Sequence, residues 1–346
     1  MKHKNTQQKN LVRKVMVICI LLFHYGYVCK AQIYTGDLTI ENQTQLDALV
    51  KPNGKLHLKR EINGSIYIIA KDISNLEALS SIKSIKGDLQ ISSTLLTSLE
   101  GLENLITVGN LKISHNTKLK SLKGLKLLVA IESIEIFLND NLKSLLGLTN
   151  LKKINQYLMI DDNDALISIS DLAVTTIGEG IIIKNNDALT SLSGLKLSSV
   201  KDIVISSNAA LTSIIGLEKI KSIEEGVFIY KNNTLTSLEG IHNITIIGGN
   251  LDIWGNTSLI SLETLKWLTH IGDELHIAGN PMITNLLGLE HITSIKKISI
   301  ENNIQLNNFC ALSKLFFHNI SKLEYSIKYN KYNPTLIDFE HKKCNE

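Results

Sequence analysis

One motif returns every 22 to 24 residues, about ten times along the chain, and this period constrains the fold more than any other feature of the sequence. Each copy holds an apolar-x-apolar triplet, an Asn three residues after the second apolar position, and then Leu or Ile at three-residue steps. Residues 249–272, GNLDIWGNTSLISLETLKWLTHIG, form the clearest copy. A fixed period of this size marks a solenoid: one repeat makes one coil, which cannot bury its apolar side alone and does so against its neighbours.

The triplets are Ile66/Ile68, Leu89/Ile91, Leu111/Ile113, Ile134/Ile136, Leu158/Ile160, Ile181/Ile183, Ile203/Ile205, Val227/Ile229, Leu251/Ile253, Leu275/Ile277 and Ile298/Ile300. Period-two alternation turns both named residues inward and the residue between them outward. Stacked coils then form a parallel sheet, and with strands about 4.8 Å apart ten coils make a rod on the order of 50 Å long. The expected fold is mainly β, a parallel β-helix of about ten coils.

After each strand the chain must turn, and here Asn116, Asn139, Asn163, Asn186, Asn208, Asn232, Asn256, Asn280 and Asn303 form one column, broken only at Lys71 and Thr94. A buried corner leaves backbone amides and carbonyls without ladder partners, and an Asn side chain carries both a donor and an acceptor to satisfy them. A stacked Asn ladder is the expectation; Asn is also simply common in turns. Beyond the corner, steps such as Leu96, Leu99, Leu102, Leu105 and Val108 fit neither a long helix nor a long strand and predict short extended or 3₁₀ segments with an aliphatic interior.

Open solenoid ends need covers. In front, residues 36–40 read as a first strand, 43–50 as a short helix capped by Asn42 or Thr44, and 55–58 (KLHL) as another strand. At the back, 309–317 (FCALSKLFF) has helical spacing and the tail through Tyr332, Pro334 and Cys344 reads as a clasp. The expected organisation is a signal peptide over 1–31, an N-terminal cap over 32–64, the repeat solenoid over 65–305 and a C-terminal cap over 306–346.

The leader expectation rests on Lys2, Lys4, Lys9, Arg13 and Lys14 running into the apolar stretch 15–23, with a small-residue site at Ala31. Val28 before Cys29 fits a lipidation site poorly. The apolar core is too short for a retained span, so export without a stable membrane span after cleavage is expected, to the cell envelope or the medium. Of 36 bases six leave with such a leader, and the remaining 30 face 33 acids for a net charge of −3. Arg60 is then the only arginine, which argues against a nucleic-acid partner. Cys310 and Cys344 become the only thiols, either free or, as an oxidising compartment favours, joined.

Residues 87–113, GDLQISSTLLTSLEGLENLITVGNLKI, resemble the receptor L-domain family, leucine-rich domains of receptor ectodomains, and more closely the L-domain-like repeat proteins of bacterial cell surfaces. The likeness runs over essentially the whole chain after the leader. It implies a right-handed β-helix, a binding or structural role at the cell envelope, and no catalytic residues. Residues 307–317 and 329–344 look like the closing segment of those bacterial proteins, which implies a cap holding Cys310 and Cys344. Members often carry a further C-terminal sorting domain, and none is recognised before Glu346.

Parallel β-helices also include carbohydrate-active enzymes, whose sites need clustered carboxylates or a base beside acids on one outer face. The nearest cluster is Asp161, Asp162 and Asp164, which lacks the Gly and distal Glu of a calcium loop and reads as a solvated corner. There is no HExxH, GxSxG, phosphate-binding Gly loop or CxxC pair. His276 on the outer strand face could serve as a general base, but with no evident partner it reads as an exposed residue. No catalytic residue, metal site or cofactor is therefore expected.

The outward positions carry more information. The middle residues run Gln90, Lys112, Glu135, Met159, Ile182, Val204, Phe228, Asp252, His276, Ser299, and the next column runs Ser92, Ser114, Phe137, Asp161, Lys184, Ser206, Tyr230, Trp254, Ala278, Glu301. Four consecutive coils thus set Met159, Ile182, Val204 and Phe228 side by side on an otherwise polar face. A contiguous apolar area flanked by aromatics marks a contact surface; β-propensity, or cover by a second copy of the chain, would explain it equally. The expectation is an exported, non-catalytic binding or scaffold protein that meets a protein or glycan at the cell surface, or itself, through Phe137, Met159, Ile182, Val204, Phe228, Tyr230 and Trp254. The alternatives are a carbohydrate-active β-helix and a purely structural envelope component.

Overall fold

The computed structural model describes residues 33–319 and 323–346. The expected leader over 1–31 lies outside them. The chain is a β-solenoid of about 11 turns, mainly β with few helices. Its main sheet stacks parallel strands from Leu38–Ile40 and Ile66–Ile69 to Lys297–Glu301 and Glu324–Lys328. Coils stay in register: Leu158, Met159 and Ile160 pair with Ile181, Ile182 and Ile183, and these with Ile203, Val204 and Ile205. Every inward residue of the expected triplets is essentially inaccessible to solvent.

A second parallel strip of two- and three-residue strands precedes the main one in most coils, as at Glu61–Asn63, Ser84–Ile85 and Thr176–Ile177. In Thr107–Ser114 and Ala130–Phe137 the two strips merge into eight-residue strands. The three-residue steps at the back form a chain of tight turns. Leu102 N donates to Leu99 O, Leu105 N to Leu102 O, and Leu128 N to Leu125 O, so each third side chain points inward. These aliphatic columns are the main folding force, roughly 1.5 to 3 kcal/mol per buried Leu or Ile before chain entropy is counted.

The nine asparagines stand in one fully buried column. Asn208 is representative: its Oδ1 accepts from Asn186 N (3.1 Å) and Nδ2 (3.2 Å), while its own Nδ2 donates to Ile183 O and Ser206 O (3.0 Å each) and its N to Asn232 Oδ1 (3.2 Å). The residue before each Asn takes a left-handed conformation, with φ near 55° at Ser207 and Lys231, which aims the Asn side chain into the coil. The ladder is longer than the nine. Thr94, which interrupts the letters, joins it by donating N and Oγ1 to Asn116 Oδ1 at 3.1 and 2.8 Å. At the far end Asn303 N donates to Asn330 Oδ1 and Asn330 N to Asn333 Oδ1, 3.0 Å each.

The ends differ in part from expectation. Leu38–Ile40 and Glu324–Lys328 are rungs of the main sheet, which raises the count of turns above ten. Helix Gln43–Ala48 is capped by Asn42, whose side chain accepts from Gln45 N, and it buries Leu46. Gln43 Oε1 ties it to the first coil by accepting from Ser74 N at 2.9 Å. The strand expected over 55–58 is a turn: Asn53 and Leu58 are left-handed, and Leu56 is buried while Leu58 is 66% exposed, so the two do not share a face. At the other end Cys310 and Cys344 form a disulfide across 34 residues. Beside it Phe316 stacks on Phe339, with ring centroids 4.3 Å apart.

Candidate functional site

The outward face of the main sheet gathers most of the expected site residues. Register sets Glu135, Met159, Ile182, Val204, Phe228 and Asp252 in one row and Phe137, Asp161, Lys184, Ser206, Tyr230 and Trp254 in the next. Met159, Ile182, Val204 and Phe228 are half-buried rather than fully exposed. The Phe228 ring folds back over Gly226: a Cβ there would stand 2.4 Å from Phe228 Cε2, so the small residue makes room for the aromatic one. Tyr157, 43% exposed, lies in the same way against Gly180, where a Cβ would stand 3.2 Å from Tyr157 Cε1. The sequence reading misses Tyr157, although it sits two residues before Met159 and so on the same face.

Ion pairs across adjacent coils bracket this apolar row. On one side Lys112 Nζ lies 3.0 Å from Glu135 Oε2, and on the other His276 Nδ1 lies 3.0 Å from Asp252 Oδ1. The reading of His276 as partnerless is thus corrected: one coil separates it from Asp252, and parallel register places them side by side. The hydrogen bond to Asp252 raises the imidazole pKa above its ordinary value, opposed by burial. In the neighbouring row Asp161 pairs with Lys184 at 3.2 Å and Glu301 with Lys328 at 3.1 Å. Each of these four acids faces a base on an adjacent coil.

The aromatic residues form two groups. Tyr230 and Trp254 stack in parallel with centroids 5.0 Å apart, and Lys231 Nζ lies 4.9 Å from the indole centroid. Phe137 stands apart, edge-on to His115 at 5.7 Å, with Lys112 Nζ 5.0 Å from its ring. Ser92, Ser114 and Ser206, expected to face out, are buried; the hydroxyls of Ser92 and Ser114 lie 3.1 Å apart. A short side chain just before the left-handed corner stays within the envelope of its larger neighbours.

Burial and the neighbouring Asp162, Asp187 and Asp140 push the Asp164 carboxyl above its usual value. Asn163 between Asp162 and Asp164 belongs to the ladder. Among the described residues no group of three or more His, Cys, Asp or Glu could hold a metal, and no helix is long and apolar enough to cross a membrane. No protein-family model matches the chain, and no curated protein matches it significantly.

Proposed function

We propose that this protein is an exported, non-catalytic binding or scaffold protein of the receptor L-domain type, which presents its rigid strand face to a protein or glycan partner at the cell surface. The observation that carries this reading is the row Met159, Ile182, Val204 and Phe228, four coils wide and closed at each end by an ion pair. A solenoid has no structural need for apolar residues facing outward, and in adjoining coils the same positions hold Lys, Glu, Asp and His. The sheet fixes these side chains in straight rows, which lowers the ordering cost of meeting an extended partner. The disulfide in the C-terminal cap agrees with an oxidising compartment.

The test is the double variant Phe228→Ser, Trp254→Ser. Cross-linking and co-purification from the cell surface should recover a partner with the native chain and lose it with the variant, while the thermal midpoint of the isolated protein stays close to native. Recovery of every partner by the variant removes the strand face from the proposal.

A further inference from the structure

On the side of the solenoid away from the strand face, the coils turn in two ways. Gly240 and Gly288 turn with φ of 126° and 104°, and each packs so closely on the preceding coil that a Cβ would fall 2.3 Å from Ile214 O or 2.1 Å from Leu262 O. The coil between them has Thr264 in this place and forms a 3₁₀ turn, Glu263–Leu265, instead. At the step between the two turn types lies a groove of about 350 Å³ lined by Glu239, His242, Glu263, Thr264, Lys266 and Trp267.

Three features of the groove point to a ligand. Trp267 is 56% exposed and offers an aromatic surface with a polar N–H at the groove. In the lining, His242 Nδ1 is taken up by Glu239 Oε1 at 2.7 Å, and Thr264 Oγ1 is a buried polar atom without a hydrogen-bond partner. Such atoms are rare in folded proteins and call for an explanation. The volume also lies within the range of small-molecule sites, and the lining is polar apart from the one aromatic surface.

The charges select among ligands. An anion would be repelled by Glu239 and Glu263, and a cation by Lys266, whose Nζ lies 5.8 Å from the Trp267 ring centroid. A purely apolar ligand would strand the carboxylates, imidazole and hydroxyl. What remains is a neutral molecule with one C–H face for the indole and a rim of hydroxyls for the polar groups. We propose that this groove binds a pyranose residue of a neutral glycan, with Trp267 as the stacking platform and Glu239, His242, Glu263 and Thr264 as hydrogen-bonding partners of its hydroxyls. The site is separate from the strand face and stands or falls without it.

The full chain is screened against an array of neutral hexose and N-acetylhexosamine oligosaccharides, and the retained glycan is titrated calorimetrically. Trp267→Ala should weaken that glycan at least about fivefold to tenfold, and Glu263→Gln should weaken it to a smaller degree, with circular dichroism unchanged in both. The strand-face variant Phe228→Ser, Trp254→Ser should retain it. No retention up to ~1 mM glycan, retention of full affinity by Trp267→Ala, loss confined to the strand-face variant, or preference for an arginine or quaternary-ammonium probe would each overturn the proposal.

Discussion

In the strand Val227–Tyr230, Val227 and Ile229 are fully buried against the same columns above and below, whereas Phe228 and Tyr230, on the other side of the same backbone, are half-buried among neighbours that change from coil to coil. From Leu38 to Ile300 the inward strand columns hold only Ile, Leu and Val, and the ladder beside them only Asn apart from Thr94, because a packed interior leaves little freedom of shape or polarity. The outward columns carry Lys, Glu, Met, Phe, Asp and His with the backbone unaltered. Order that appears where the fold does not impose it, such as an apolar row between two ion pairs, is therefore the better guide to function.

That contrast can be broken from the inside. Ile205→Ala deletes buried methyl groups from a column with neighbours on both sides, and it should cost about 2 to 5 kcal/mol in chemical denaturation. Asn208→Ala should cost about 1 to 3 kcal/mol, because it removes one side chain and orphans the Asn186 amide and the Ile183 carbonyl together. An unchanged midpoint for Asn208→Ala would mean that the ladder is decoration on a corner already stable without it. By the same reasoning, the strand-face variants of the outer rows should move the midpoint less than either.

What could be read from the letters follows the same division. Triplets and ladder are legible because one physical demand repeats in every coil; Asn330 is legible too, three residues after Ile327, once Glu324–Lys328 is taken as another rung. The pairing of His276 with Asp252 is harder to see, since the column order makes them neighbours but the letters do not say how the side chains lean. The strand expected over 55–58 fails because Leu56 and Leu58 alternate as in a strand, while the left-handed residues at 53 and 58 turn the backbone between them. The groove beside Trp267 arises where Thr264 replaces the turn glycine, and the resulting change of turn is a property of backbone packing that periodicity does not record.

The smallest expected effect is the most discriminating for the outer rows. Hydrogen bonding to Asp252 raises the His276 pKa, with smaller help from Glu274 and Glu301 and opposition from burial. A group whose folded pKa is raised contributes its stability fully below the unfolded value, near 6.5, and loses it as pH climbs through the folded value. The midpoint difference between the native chain and His276→Gln should thus be fully present below about pH 6.5 and shrink as pH rises through the raised folded value, at less than about 1 kcal/mol throughout, since the pair is partly open to solvent. A difference that is flat with pH would mean the imidazole acts only as a neutral hydrogen-bonding group. One that grows with pH would mean that burial outweighs Asp252, and the row would then lack the charged boundary that sets Met159, Ile182, Val204 and Phe228 apart from the rest of the face.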